Sequence, residues 1–322
     1  VNATRPSPKF PAILVFGDST VDTGNNNYLK TVAKGNHFPY GKDFPGKVPT
    51  GRFSNGKLVP DFIASLLKIK EAVPPFLDPS LSNNDLVTGI ELFKKYIVRV
   101  EGILGEKEAD KLINRALVII SAGTNDFGFN IYDIPTRRLE FNITGYQDFL
   151  QKKLQMFIKE LYELGCRKIV ITGLPPIGCL PIQITAKSGN PKNRICVDNE
   201  NSDAQIYNQK LVKLLPKIQS LFPGSKIVYA DVYEPLTDMI NNPQKFERLL
   251  WYRACGSRPL CNALTPLCAN DLEYLFWDSI HPSEAAYHYI SKYLEKEVLP
   301  KLAYDHQSQQ LISLSDLTDD RY

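Results

Sequence analysis

The chain has 322 residues, the length of about two average domains or one large α/β domain, and 43% of them are hydrophobic, enough apolar material for a substantial core. Its 38 basic and 35 acidic residues leave a net charge of +3 without any basic block, which argues against a nucleic-acid groove or a polybasic membrane patch. The longest apolar runs, such as 116–120 and 169–171, fall far short of a membrane span.

In chain order, the start Val1-Asn2-Ala3-Thr4 carries no Met and no charged-then-apolar leader, so it reads as a mature chain whose signal peptide is gone. Asn2-Ala3-Thr4 is a glycosylation sequon, and so is Asn142-Ile143-Thr144; Asn2 and Asn142 are the candidate glycan acceptors. The six cysteines (Cys166, Cys179, Cys196, Cys255, Cys261, Cys268) include no C-x-x-C pair, which argues against a zinc ribbon or a thioredoxin-type site. An even count beside two sequons points to a secreted protein with disulfides, and 15 pairings are open. Nothing in the chain calls for a metal or a cofactor.

Ile13-Leu14-Val15-Phe16 is the first of four short apolar runs that predict strands covered on both faces, as in a parallel sheet. It leads into Gly17-Asp18-Ser19-Thr20. At a strand-to-helix turn, Ser19 would present its hydroxyl at the sheet edge, with a helix N-terminus behind it to favour negative charge. The plainer reading is a helix N-cap. Further on, the run from Gly41 to Val48 nearly matches a phosphate-binding loop. However, Val48 stands where a Ser or Thr would hold magnesium and no strand precedes it, which argues against a nucleotide site.

The second run, Leu117-Val118-Ile119-Ile120, is followed by Ser121-Ala122-Gly123-Thr124-Asn125-Asp126. There the Asn125 amide could donate to a developing oxyanion, or the stretch could be an ordinary turn. Leu150, Leu154, Phe157, Leu161 and Leu164 recur at helical spacing up to Gly165, before the third strand run, Lys168-Ile169-Val170-Ile171. Tyr207, Leu211, Leu214, Ile218 and Leu221 do the same up to Pro223-Gly224, before the fourth, Lys226-Ile227-Val228-Tyr229. A last helix starts at Pro282 and buries Ala286, Ile290, Tyr293 and Leu294. This alternation predicts a three-layer α/β/α sandwich with a mostly parallel sheet, one domain over 10–304 and a polar tail over 305–322. Functional residues are then expected after the C-terminal ends of the strands, beyond Phe16, Ile120, Ile171 and Tyr229.

A hydroxyl nucleophile needs a base, and there are four histidines. His37 lies in an early loop, His288 on the polar side of the last helix with Ser291, Lys292 and Glu295, and His306 in the tail. That leaves His281, in Phe276-Trp277-Asp278-Ser279-Ile280-His281-Pro282. Asp278, three residues earlier, could accept the Nδ1 hydrogen while Nε2 faces outwards, as a serine base requires; a capping Asp beside a loop His is the alternative. No G-x-S-x-G elbow is present, which excludes the ordinary α/β-hydrolase plan.

Together these stretches resemble the plant branch of the GDSL esterase/lipase family, within the SGNH hydrolases. The matching text is Phe16-Gly17-Asp18-Ser19 with Asp22-Thr23-Gly24-Asn25-Asn26-Asn27-Tyr28, Gly51-Arg52-Phe53-Ser54-Asn55-Gly56-Lys57, Gly123-Thr124-Asn125-Asp126, Gly173-Leu174-Pro175-Pro176-Ile177-Gly178-Cys179 and the His281 stretch, in family order. The resemblance implies a flavodoxin-like sheet, Ser19 as nucleophile, His281 as general base and Asp278 as its orienting partner. Asn125 and the Ser19 backbone N–H would be oxyanion donors, and no cofactor is required. The chain departs from the family in two places. After Asn83-Asn84-Asp85-Leu86-Val87-Thr88-Gly89, family members carry a strand and an Ala/Ser/Gly run with a further oxyanion donor; here Gly89 leads straight into the helical pattern Ile90-Glu91-Leu92-Phe93-Lys94-Lys95. The region Tyr252-Arg253-Ala254-Cys255-Gly256-Ser257-Arg258 is also shorter than the family's cysteine- and glycine-rich run.

The expected function is a secreted ester hydrolase acting on a small-molecule or lipid ester through an acyl-enzyme, with no nucleic-acid partner and no membrane segment. Two other readings stay open: a non-catalytic or weakly active member that binds or regulates, and an acyltransferase using the same triad.

Overall fold

Each of the four apolar runs folds as a five-residue strand: β1 (Ile13–Gly17), β2 (Leu117–Ser121), β3 (Lys168–Thr172) and β4 (Lys226–Ala230). The computed structural model describes residues 10–78, 90–134, 137–187, 194–246, 250–254 and 260–302. The Asn2 sequon, residues 83–89, Cys255 and the tail from 303 onwards lie outside them. The strands form one parallel sheet in the order β1-β2-β3-β4. Ile13 sits opposite Leu117, Leu117 opposite Lys168, and Lys168 opposite Lys226. The strands therefore end level, and the loops that follow them share one edge, as expected of open α/β sheets. β1 is an edge strand with no strand partner on its outer side among the described residues.

Nine α-helices lie among the described residues: α1 (Val59–Leu66), α2 (Ile90–Leu104), α3 (Glu106–Arg115), α4 (Thr124–Phe127), α5 (Ile143–Glu163), α6 (Pro181–Lys187), α7 (Asp198–Leu221), α8 (Tyr233–Asn241) and α9 (Glu284–Glu297). They cover both faces of the sheet, which is why the strands read as continuous apolar runs. Phe16 meets Phe93 of α2 and Phe157 of α5 edge-on, at 5.7 and 5.5 Å. Ile119, which points the opposite way from the Phe16–Ile120 pair, shares a small cavity with Val59 of α1 and Ile290 and Leu294 of α9. The amphipathic pattern after Gly89 is α2, as expected, and Gly165, at φ 97°, follows the end of α5.

Three local expectations change. No α-helix follows Ser19, which lies in a turn. Asp18 Oδ1 accepts the Thr20 N–H and hydroxyl at 3.0 and 2.7 Å, and the Asp22 carboxylate takes the N–H groups of Gly24, Asn25 and Asn26. Such side-chain acceptors compete with helix formation. α9 starts two residues after Pro282, because Pro282 is held in an antiparallel bridge to Phe276 and Ser283 is the N-cap, accepting the Ala286 N–H at 3.3 Å. Ser291 is buried, donating to the Tyr287 carbonyl at 2.7 Å, and does not share the exposed side of α9 with His288.

A second, two-stranded parallel sheet joins β5 (Leu250–Ala254) to β6 (Tyr274–Phe276). With three residues, β6 is too short to carry a sequence pattern. Of the cysteines, Cys179 and Cys196 are bridged, Cys268 is disulfide-bonded, and Cys166 and Cys261 are buried thiols. The even count does not mean complete pairing.

Candidate active site

Ser19 is placed by the end of β1. Asp18 N–H donates to the Ser121 carbonyl at 3.1 Å, and any side chain at Gly17 would collide with that carbonyl and with Val21. The turn is thus pressed against the end of β2. Asp18 is half-buried beside it; desolvation pushes its carboxyl above the usual range, and the hydrogen bonds from Thr20 oppose that.

His281 arrives from the other end of the chain, in the loop that β6 starts. Trp277 N–H donates to the His281 carbonyl at 2.8 Å and Ser283 N–H to the Leu275 carbonyl at 2.9 Å, closing residues 277–281 into a tight loop. Within it, Asp278 Oδ1 accepts the N–H groups of Ile280 and His281 at 2.8 and 2.7 Å. His281 Nδ1 lies 2.7 Å from Asp278 Oδ2 and 2.9 Å from Oδ1, and Nε2 lies 2.7 Å from Ser19 Oγ. A carboxylate only accepts, so Nδ1 carries the imidazole hydrogen and Nε2 offers its lone pair to the Ser19 hydroxyl. Asp278 is 0% exposed and His281 2%.

Ser19 and His281 open onto a cavity of about 680 Å³ that Asn125 of α4 also lines. Leu29, Leu77, Leu92, Phe129, Phe157 and Leu260 give it apolar walls. Ser19, Asn125 and His281 therefore face one space, with Asp278 behind His281.

The loops after β3 and β4 supply no comparable group. Leu174 and Asn208 exchange two hydrogen bonds, at 2.7 and 2.9 Å, and Ile182 N–H donates to the Ser279 carbonyl at 2.9 Å, tying α6 to the His281 loop. Asp231 caps α8 through the N–H groups of Tyr233 and Glu234. No residue of 173–181 or 231–232 lines the cavity, and the His281 loop follows β6 of the small sheet. His288 stacks on Phe62 at 5.1 Å and does not line the cavity.

Two neighbours of the site carry no local sequence signal. Tyr40 donates its hydroxyl to Asp278 Oδ2 at 2.8 Å, and Phe53 stacks on the His281 ring at 4.9 Å and 24°. Tyr40 lies just before the false phosphate loop, in no stretch the sequence marks, and Phe53 lies in a block marked only by the family resemblance. Among the described residues no group of three His, Cys, Asp or Glu side chains is arranged to hold a metal ion, and no helix is long and apolar enough to cross a membrane.

Residues 13–294 match the family of GDSL-like lipases and acylhydrolases. Similar chains include three GDSL esterase/lipases of Arabidopsis thaliana. One is 53% identical over 331 aligned residues and another 50% over 331, each covering 92% of this chain and 92% of the relative. A third is 41% identical over 333, again covering 92% of both. These alignments are longer than the 322 residues of this chain, so the relatives carry segments that it lacks. With a match that spans most of its length and relatives at these identities, the chain belongs to the GDSL-like lipase/acylhydrolase family.

Proposed function

We propose that the chain is a serine ester hydrolase that works through an acyl-enzyme. One observation carries the reading: the continuous hydrogen-bonded row from Ser19 Oγ through His281 to the Asp278 carboxylate, with 2.7 Å at both ends of the imidazole. Family membership supports a hydrolase acting on esters. In this scheme Ser19 Oγ attacks the acyl carbon while its proton passes to His281 Nε2, and Asp278 stabilises the imidazolium. The oxyanion accepts from the Ser19 N–H and the Asn125 amide. The alcohol leaves with the proton from Nε2, and water, activated by the same nitrogen, releases the acid. The cavity volume, about 680 Å³, falls within the roughly 300–1,000 Å³ of small-molecule sites. Its apolar walls suit an apolar acyl chain.

A second reading, weak turnover, is favoured by the unpartnered outer side of β1 among the described residues and by the segments that the relatives carry and this chain lacks. On that reading two oxyanion donors remain where the family has three. Secretion is supported by the Cys179–Cys196 bridge and by exposed Asn142, whose side-chain oxygen Oδ1 caps α5 by accepting the Gly145 N–H at 2.7 Å.

The test is labelling by a fluorophosphonate together with hydrolysis of p-nitrophenyl esters. Ser19→Ala and His281→Ala should each lower turnover by about four decades or more, and Asp278→Asn by somewhat less. Undiminished hydrolysis by Ser19→Ala in a clean preparation refutes the proposal, and product analysis with added alcohol separates hydrolysis from acyl transfer.

A further inference from the structure

We propose that Tyr40 is a positioning residue for this site: its hydroxyl holds the Asp278 carboxylate in place and sets how strongly that carboxylate binds the His281 proton. Its effect on turnover rests on the ester-hydrolase reading; its effect on His281 does not.

Tyr40 is fully buried. Its hydroxyl donates to Asp278 Oδ2 at 2.8 Å and accepts the backbone N–H of Cys261 at 3.0 Å. The Cys261 N–H can only donate, so it occupies a lone pair of the phenol oxygen and directs the phenol hydrogen at Asp278. Burial first, and the charge of Asp278 second, push the phenol far above its usual range, so Tyr40 stays a donor at every working pH. Among the described residues it is the one side chain other than His281 that bonds this carboxylate. The two backbone donors to Asp278, at Ile280 and His281, both engage Oδ1 and come from its own loop. Within the loop Oδ2 is engaged by His281 Nδ1 alone; Tyr40 adds a second restraint on it from a distant part of the chain.

The restraint is itself rigid. The Tyr40 ring meets Phe53 edge-on at 5.8 Å, and Phe53 in turn stacks on the imidazole. Gly41 N–H donates to the Ser54 carbonyl at 2.9 Å and Asp43 N–H to the Asn55 carbonyl at 2.7 Å. The Asn55 side chain reaches Asp271 at 2.9 Å and accepts the Glu284 N–H at 2.8 Å, which fastens this early loop to the segments flanking His281.

A hydrogen bond donated to a carboxylate stabilises its charge and makes it a weaker base. Without the Tyr40 hydroxyl, Asp278 would hold the imidazolium more tightly and sit less firmly. A stronger donor would do the reverse. A residue that merely filled space would not produce opposite effects.

The experiment follows the His281 titration by nitrogen-15 NMR in the full chain, in Tyr40→Phe and in protein carrying 3-fluorotyrosine at position 40, whose phenol is more acidic. The His281 titration should move up by about half a pH unit in Tyr40→Phe, roughly a threefold change in proton affinity, and move down in the fluorotyrosine protein. In Tyr40→Phe, kcat should fall about tenfold with KM unchanged. Titrations that match the unmodified chain, or that move the same way in both proteins, overturn the proposal. If Tyr40→Phe does not fold, the fluorotyrosine protein, which keeps the ring and hydroxyl, decides alone. A chain without Ser19-dependent turnover would refute the hydrolase reading, and the titrations would still decide the role of Tyr40.

Discussion

Glu200, in the first turn of α7, is 1% exposed, and its Oε2 has no hydrogen-bond partner among the described residues. Burial pushes its carboxyl from 4.5 up to about 7; Lys187 and Arg138 pull it down, while Asp133 and Asp203 push it further up. The unfolded chain gives up this proton near pH 4.5 and the folded chain only near 7. The protonated form therefore favours folding, and that contribution is complete below pH 4.5 and lost as the pH rises through 7. A gap of about 2.5 between the two values corresponds to about 3 kcal/mol. Glu200→Gln keeps the shape and removes the charge. At pH 8 it should stabilise the protein by up to about 3 kcal/mol, or about 5 °C in Tm at this chain length; at pH 5 most of that gain should vanish. Thermal melts of both proteins at the two pH values measure the difference. An equal gain at both, or none at pH 8, would refute the reasoning.

Four further outcomes are expected. Arg52 bonds Asp61 twice, at 2.7 and 2.8 Å, with both side chains buried; Arg52→Met strands that carboxylate and should cost about 3–5 kcal/mol in urea unfolding, and a cost below 1 kcal/mol would contradict this account. Asn125→Ala should lower kcat by about 10²–10³ with little change in KM; unchanged kcat would remove Asn125 from the oxyanion site. Mass spectrometry of material from a secreting host should find a glycan on Asn142, and an unmodified Asn142 would weaken the secretory reading. The chain should hydrolyse short activated esters weakly, and grafting a strand with its Ala/Ser/Gly run between Gly89 and Ile90 should raise both turnover and Tm; if neither rises, the missing segment is not what limits it.

The strand runs and the long helices were legible in the sequence because each depends on a local repeat. Three or four consecutive apolar residues suit a strand covered on both faces, and steps of three and four suit one side of α5 or α7. The Asp278–His281 pair was legible for the same reason, since three residues of one tight loop bring carboxylate and imidazole together. Ser19 and Asn125 stood out at strand ends, where a cap and a turn were the alternatives, and the family resemblance gave them their roles. Tertiary structure alone decided the rest. Ser19 and His281 are 262 residues apart and Tyr40 and Asp278 are 238 apart, so no local pattern joins them. They meet because β1 delivers Ser19 to the sheet edge while the early loop and the β6–α9 segment fasten to each other through Asn55. The start of α9 moved two residues from Pro282 because a bridge to Phe276 outweighed the local preference of proline for a first helical turn. Ser291 reads as a residue on the polar side of α9 and Glu200 is charged, yet both are buried. Polarity in a sequence shows what a side chain prefers, but burial is set by which elements pack over it, and only the assembled fold determines that.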